Sequence, residues 1–181
     1  MSFRLSEIDK DTLRFMEDIY SLKLLVRYAN TPRIKDETVA EHSAFVTLTV
    51  LKLHERFNFD LQKAMIMAIT HDLPETYTSD IPHPVKRAFP MLDAALMEAE
   101  DFAWKKFPEK WKTINDEMRA LETPEALIVT IADVLSCVQY TAQEVALGNT
   151  AMRKVMKTSI ERINVLLDTL LEMYPHVHRT V

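Results

Sequence analysis

Apolar residues recur at helical spacing along almost the whole chain, and no segment sustains the alternation of a half-buried strand. This patterning predicts an all-α fold. A first helix is expected over 8–28, with Leu13, Met16, Ile19, Tyr20 and Leu24 on its apolar side. Thr38 and Glu41 have the spacing of a capping box, and the apolar run Val46, Leu48, Val50, Leu51 and Leu53 follows it. A third helix is expected after Asp60, through Met65, Ile66 and Ile69 to His71 and Asp72. Pro74, Pro82, Pro84 and Pro90 then forbid a long helix and predict a structured loop with short turns. Helices resume over 91–107, 110–121, 124–147 and 150–174. Thr123, Pro124 and Glu125 supply a cap, a proline at the first helical position and an acid in the first turn. Gly148 and Asn149 supply a left-handed stop. With no internal repeat and no dividing linker, the expectation is one compact helical bundle over 1–181, with a C-terminal helix at 150–174.

Composition narrows the function. Gly148 is the one glycine in 181 residues. A P-loop and a dinucleotide-binding turn each need several glycines for close backbone approach to phosphate, so both are excluded. If the protein handles phosphates, side chains and metal must do it. The formal net charge of −5 argues against a protein held on a nucleic-acid polymer, yet a few local cations suffice for a small anion. Purely apolar stretches run for only a few residues, so no membrane span is expected. The N-terminus lacks the apolar core of a secretory signal, and the single Cys137 cannot form an internal disulfide. A cytoplasmic location is the expectation.

Three clusters place potential metal ligands in helices: Glu41-His42-Ser43, His71-Asp72-Leu73-Pro74-Glu75, and Ala132-Asp133-Val134. Imidazole nitrogen and carboxylate oxygen together suit a divalent cation such as Mn²⁺, Co²⁺, Zn²⁺ or Fe²⁺. Neighbours on a helix point about 100° apart, so His71 and Asp72 converge only near a helix end, where Pro74 falls. Asp133 interrupts the apolar run from Leu127 to Leu135, where a carboxylate is costly unless paired or metal-bound. Taken singly, each has a plain alternative. His42 alone reads as a core histidine, Asp133 as the partner of an arginine on another helix, and Asp72 and Glu75 as exposed acids at a helix end.

Taken together, His42, His71-Asp72 and Asp133 resemble the H…HD…D pattern of the HD-domain superfamily of metal-dependent phosphohydrolases. More of the chain is similar to the YfbR-type bacterial 5′-deoxynucleotidases. Leu22 to Tyr28, Thr38 to Ser43, His71-Asp72 with Glu75 and the Asp80 to Lys86 loop, and Asp133 through Glu144 to Asn149 carry that likeness. Small phage-type dATP triphosphohydrolases share the scaffold. The resemblance implies a single HD domain holding one divalent metal cation (Co²⁺, Mn²⁺, Zn²⁺, Fe²⁺ or Mg²⁺) on His42, His71, Asp72 and Asp133. It gives Asp72 and Glu75 catalytic roles, Glu75 as general acid/base or water-orienting group.

Substrate binding is assigned on the same footing. Arg27 becomes the phosphate clamp, since guanidinium offers paired donors. Asp80 would accept from a sugar hydroxyl, and Lys86, with Arg87, would add phosphate contacts. Tyr28 stands where the family has tryptophan and would wall the sugar. Its hydroxyl bears on deoxyribose selectivity. His83 has no assignment, and Cys137 reads as a core thiol. The expected partner is a small nucleotide, with no nucleic-acid polymer and no membrane, and the methionine-rich late helices suggest a homodimer or higher homo-oligomer. The leading activity is hydrolysis of (deoxy)nucleoside 5′-monophosphates. A dNTP triphosphohydrolase and, from another class, a non-catalytic nucleotide sensor are the alternatives; alarmone cleavage and a ligand-free interaction module rank below them.

Overall fold

The structure, a computed structural model, describes residues 9–178, with the side chains of His83, Pro84 and Arg87 excepted. Its centre is the helix that Thr123 starts. Thr123 accepts from the Ala126 amide, Pro124 opens the helix, and α8 (Pro124–Ala146) then runs through the core. The earlier helices are α1 (Lys10–Ser21), α2 (Val39–Leu53), α3 (Leu61–Thr70), α4 (Glu75–Thr78), α5 (His83–Ala88), α6 (Pro90–Trp104) and α7 (Glu109–Ala120). α9 (Arg153–Met173) follows a short 3₁₀ turn at Thr150–Met152. Leu127, Ile128, Val129 and Ile131 of α8 are buried among Val46 and Val50 of α2, Ala64 and Met67 of α3, and Leu166 and Leu170 of α9.

By length and composition α8 is apolar enough to cross a membrane, which corrects the expectation that no segment is. Its apolar side chains are spent on the protein core instead, as two-thirds of that stretch is buried. The capping box of α2 forms as its spacing predicts, with Thr38 and Glu41 each accepting from the other's amide. Gly148 takes the left-handed conformation, φ 104°.

Two further expectations change. The first helix stops at Ser21, because Val26 leaves it to bridge Thr38 in antiparallel fashion and the Arg27 amide donates to the Glu37 carbonyl. Residue 8, its expected start, lies outside the described residues. On its face Leu13, Met16 and Tyr20 are exposed, as is Leu24 beyond it. Phe15 and Ile19 do the packing, against a second cluster of Leu22, Val39, Leu73, Trp104 and Phe107. The proline-rich segment is also more ordered than a loop with turns: it folds as the short helices α4 and α5, each entered through a proline. Leu73 and Val39 root this second cluster directly beneath the residues of the site.

Candidate metal centre and active site

α3 ends at Thr70, and the chain turns through residues 71–74 before α4 begins. This departure from the helix swings His71 and Asp72 to one side, leaving His71 Nε2 and Asp72 Oδ2 3.1 Å apart. His42, on the first turns of α2, brings its Nε2 to 3.7 Å from Asp72 Oδ2 and 3.1 Å from Asp133 Oδ1. His42, His71 and Asp72 have ligand atoms within 4.8 Å of one another, a spacing that suits one cation. Asp133, on α8, joins this group through His42.

Both imidazoles are oriented from behind. His71 Nδ1 lies 2.7 Å from the Ala68 carbonyl, which can only accept, so that nitrogen carries hydrogen and Nε2 is the atom left to bind a cation once it gives up its own proton. His42 Nδ1 lies 3.1 Å from the Ser136 hydroxyl, one turn beyond Asp133 on α8. Both Nε2 atoms are buried without a hydrogen bond. Anchored Nδ1 and unpartnered Nε2 is the arrangement of metal-binding histidines. The charges agree: two carboxylates lie within 3.7 Å of one nitrogen, where their negative charges repel. A divalent cation between them removes that repulsion. The residues present fit a bound metal.

Each group's ionisation reflects its neighbours in the metal-free chain. Burial would lower His71, but the Asp72 carboxylate outweighs it and the pKa is pushed up to about 9. His42 moves the other way, because burial and the nearby Arg27 charge disfavour its protonated form more than Asp133 and Asp72 favour it. Burial raises Asp133, yet contact with His42 and the charges of His71 and Arg27 hold it far below the usual carboxylate range. Glu75 is raised well above its ordinary value, first by burial and then by the charges of Asp72 and Asp80. Its Oε2 is buried and unpartnered. The turn that carries it persists: the Glu75 amide donates to the Asp72 carbonyl at 3.0 Å.

Around this centre, Arg27 spends one nitrogen on Glu37, Nη1 to Oε2 at 3.0 Å, and its remaining donors have no protein partner among the described residues. Asp80 is half-buried and raised by burial, with the Tyr28 backbone and the Arg27 charge acting against that rise. Tyr28 sits in the left-handed region at φ 57°. Its ring stacks on Tyr140 of α8 at 4.8 Å, and its hydroxyl donates to Cys137 Sγ at 3.0 Å. Cys137 is thus half-buried beside this hydroxyl and that of Ser159, not in the apolar core where it was expected. Lys86 lies 3.6 Å from Glu100 of α6. The side chains of Arg87 and His83 lie outside the described residues.

A family model described as 5′-deoxynucleotidase YfbR-like matches residues 14–176, nearly the whole chain. The protein belongs to the YfbR-like family. A 5′-deoxynucleotidase of Photorhabdus laumondii is 28% identical, over 88% of this chain and 90% of its own length. Another, from Erwinia tasmaniensis, is 27% identical over 88% and 89%. Among solved structures, the PH0347 protein of Pyrococcus horikoshii superposes with a TM-score of 0.74 at 27% identity, covering 88% of this chain and 96% of that one. The fold is also that of the cyanophage S-2L HD phosphohydrolase DatZ, solved with dA and one catalytic Zn²⁺, at a TM-score of 0.64 and 18% identity, over 88% and 94% of the two chains.

In this YfbR-like chain several residues that shape the site escaped sequence reasoning. Glu37 pairs with Arg27. Ser136 stands behind His42, and its signal was available: it falls three residues after Asp133, on the same helical face. Glu144 entered only as part of a likeness, yet it is 1% exposed and accepts the amides of Ile34 and Lys35 and the side-chain amide of Asn149, all at 2.7–2.8 Å. Tyr140 adds a bond to the Lys35 carbonyl. These contacts fasten the segment after Tyr28 to α8. Apart from the bond from Asn149, no local spacing announces them, since they span more than 100 residues of chain.

Proposed function

We infer that this protein is a metal-dependent phosphohydrolase that converts deoxynucleoside 5′-monophosphates to nucleoside and orthophosphate. One observation carries the reading: two buried, unpartnered Nε2 atoms, on His42 and His71, face the carboxylates of Asp72 and Asp133 with the raised carboxyl of Glu75 on the following turn. The family assignment and the deoxynucleotidase relatives support the choice of substrate.

In this reading His42, His71, Asp72 and Asp133 hold one divalent cation. When bound, it withdraws charge from the phosphoryl group and favours ionisation of water. Zn²⁺, Mn²⁺ and Co²⁺ all suit the mixed nitrogen and oxygen donors. Arg27 holds phosphate oxygens through the donors that Glu37 leaves free, and the ion pair fixes its guanidinium beforehand. Glu75 takes a proton from the attacking water at Oε2 and returns it to the leaving 5′-oxygen. Burial and the adjacent acids suit it to that exchange, because they raise its proton affinity above that of an ordinary carboxylate. Asp80 accepts from a sugar hydroxyl. Tyr28 contributes a wall whose hydroxyl is already committed to Cys137, so the ring rather than the hydroxyl bears on the sugar. Lys86 adds positive potential from α5, shared with Glu100.

Product analysis tests this reading. The protein loaded with Mn²⁺, Co²⁺ or Zn²⁺ is incubated with dNMPs, NMPs and dNTPs. Orthophosphate released from dNMPs is the expected result. Triphosphate released from dNTPs with monophosphates untouched moves the protein to the triphosphohydrolase branch, and no product with any metal sinks the enzyme reading. The exposed Phe45, Leu48 and Leu51 of α2, and Ile160 and Val165 of α9, support self-association, for which sedimentation of the purified protein is the test.

A further inference from the structure

Tyr140 of α8 has no part in the chemistry above, yet it reaches the phosphate clamp from both ends of its side chain. It is buried, and it stands two helical turns beyond Asp133 on the same face of α8. Its ring lies flat on Tyr28, with 7° between the planes and 4.8 Å between the centroids. The guanidinium carbon of Arg27 lies 5.4 Å from the centre of that same Tyr28 ring. At the other end, the Tyr140 hydroxyl donates to the Lys35 carbonyl at 2.7 Å. Two residues on, Glu37 pairs with the Arg27 side chain, and its carbonyl accepts the Arg27 amide at 2.9 Å. One route runs from the ring through Tyr28, the other from the hydroxyl through the loop to Glu37. Both end on Arg27.

Arg27 needs such support. Arginine has a long side chain with many rotamers, and a clamp works only if its guanidinium waits in one place beside the metal ligands. Its neighbour Tyr28 stands in the left-handed region at φ 57°, which is unfavourable for a residue with a Cβ. Contacts made elsewhere must hold it there. The Tyr140 ring, the bond from the Tyr28 hydroxyl to Cys137 and the bond from Arg33 to the Tyr28 carbonyl supply them. Tyr140 and Cys137 both belong to α8, the helix that carries Asp133. Asp133 and the support of the clamp therefore ride on one rigid element, about 10 Å apart along its axis. Cys137 touches only the phenol end of Tyr28, whereas Tyr140 joins both routes.

We propose that Tyr140 is a positioning residue that holds Arg27 in the geometry of the phosphate clamp. The inference rests on the phosphomonoesterase reading, in which Arg27 binds the phosphate. Tyr140 touches no substrate in this role and acts through Tyr28 and Glu37. A phosphate monoester carries its negative charge before its bond breaks as well as during the break. A guanidinium on its outer oxygens therefore favours bound substrate and transition state alike. Loosening the clamp raises KM and leaves kcat nearly unchanged. It also weakens the binding of inorganic phosphate, which offers the same oxygens.

A double-mutant cycle with Arg27→Ala tests this, read by dAMP kinetics and by calorimetric titration of inorganic phosphate into the metal-loaded protein. Tyr140→Leu is expected to raise both KM for dAMP and the phosphate dissociation constant about tenfold, through loss of an aromatic pair and a hydrogen bond. Tyr140→Phe keeps the ring stack and loses only the bond to Lys35, so it should raise both about threefold. It also carries the test if the leucine variant does not fold. In the Arg27→Ala background neither substitution should change KM or phosphate affinity further, because the group they position is gone. Effects of equal size in the two backgrounds overturn the proposal, as does a fall in kcat with KM unchanged or phosphate binding at the wild-type level. If dAMP is not hydrolysed at all, the functional reading fails separately, and the phosphate cycle still decides whether Tyr140 acts through Arg27.

Discussion

Glu75 and Asp133 are both buried carboxylates near one centre, yet their surroundings push them in opposite directions. Asp133 faces His42 and Arg27, which favour the charged form; Glu75 faces Asp72 and Asp80, which oppose it. The division suits one to hold a cation and the other to carry a proton. Glu75→Gln is therefore expected to lower kcat by about 10²–10⁴-fold while metal content, measured by atomic absorption, stays at the wild-type value. Asp133→Asn should do the reverse in order of cause: it loses metal first, and activity returns in part at high metal concentration. Equal metal loss in both variants would show that Glu75 is a ligand instead of a proton carrier. Asp133 was legible in the sequence because a carboxylate in an apolar helix has few explanations. Glu37 was not, because an acid in a polar loop has many, and only the fold brings it to Arg27.

Helix α8 does two jobs. Its first turns fill the core, while its later turns, through Tyr140 and Glu144, hold the segment that carries Arg27 and Tyr28. Burial acts to raise the Glu144 carboxyl, but bonds from Asn149, Ile34 and Lys35 more than offset it and its pKa is lowered. A lowered carboxylate contributes stability that is present above its unfolded pKa, about 4.3, and is lost as pH falls through the folded value. Glu144→Gln should cost about 2 kcal/mol at pH 7, a fall in Tm of about 4–8 °C. Thermal melts should show the gap to wild type closing below about pH 4, and a gap independent of pH would sink the account. At the end of the same helix, Gly148 has φ 104° and open space where a Cβ would stand. Gly148→Ala should cost about 1–2 kcal/mol through backbone strain alone, with KM for dAMP unaltered. Long elements of this kind were legible from capping signals and periodicity. The bounds of α1 were not, since spacing shows that a helix has an apolar side and not whether anything covers it. Short α4 and α5 hold too few residues to show a period at all.

The whole molecule is a helical frame that brings His42, His71, Asp72 and Asp133 together from α2, from the turn after α3 and from α8, so on the proposed ligand set the metal and the fold are thermodynamically linked. The superfamily pattern was legible because its ligands fall in short motifs. The support of Arg27 from α8 was not, because Tyr140 meets Tyr28 and Lys35 only through the fold. Without a cation, His71 is held protonated by Asp72, with a pKa pushed up to about 9. A raised histidine stabilises the fold fully below its unfolded pKa of about 6.5, and that contribution disappears as pH rises through the folded value. His42 is lowered, so it acts with the opposite sign, and only below about pH 6.5. The metal-free protein should therefore lose thermal stability between about pH 6.5 and pH 9. A bound cation replaces the proton on His71, so the metal-loaded protein should melt higher throughout and show no such decline. Metal binding must also expel that proton. Its apparent affinity should rise about tenfold per pH unit up to about pH 9, with proton release that calorimetry in buffers of different ionisation enthalpy can count. Two melting curves, recorded with EDTA and with excess Mn²⁺ across this range, test the coupling. Parallel curves would mean that His71 does not exchange its proton for the cation, and the ligand set would have to be redrawn without it.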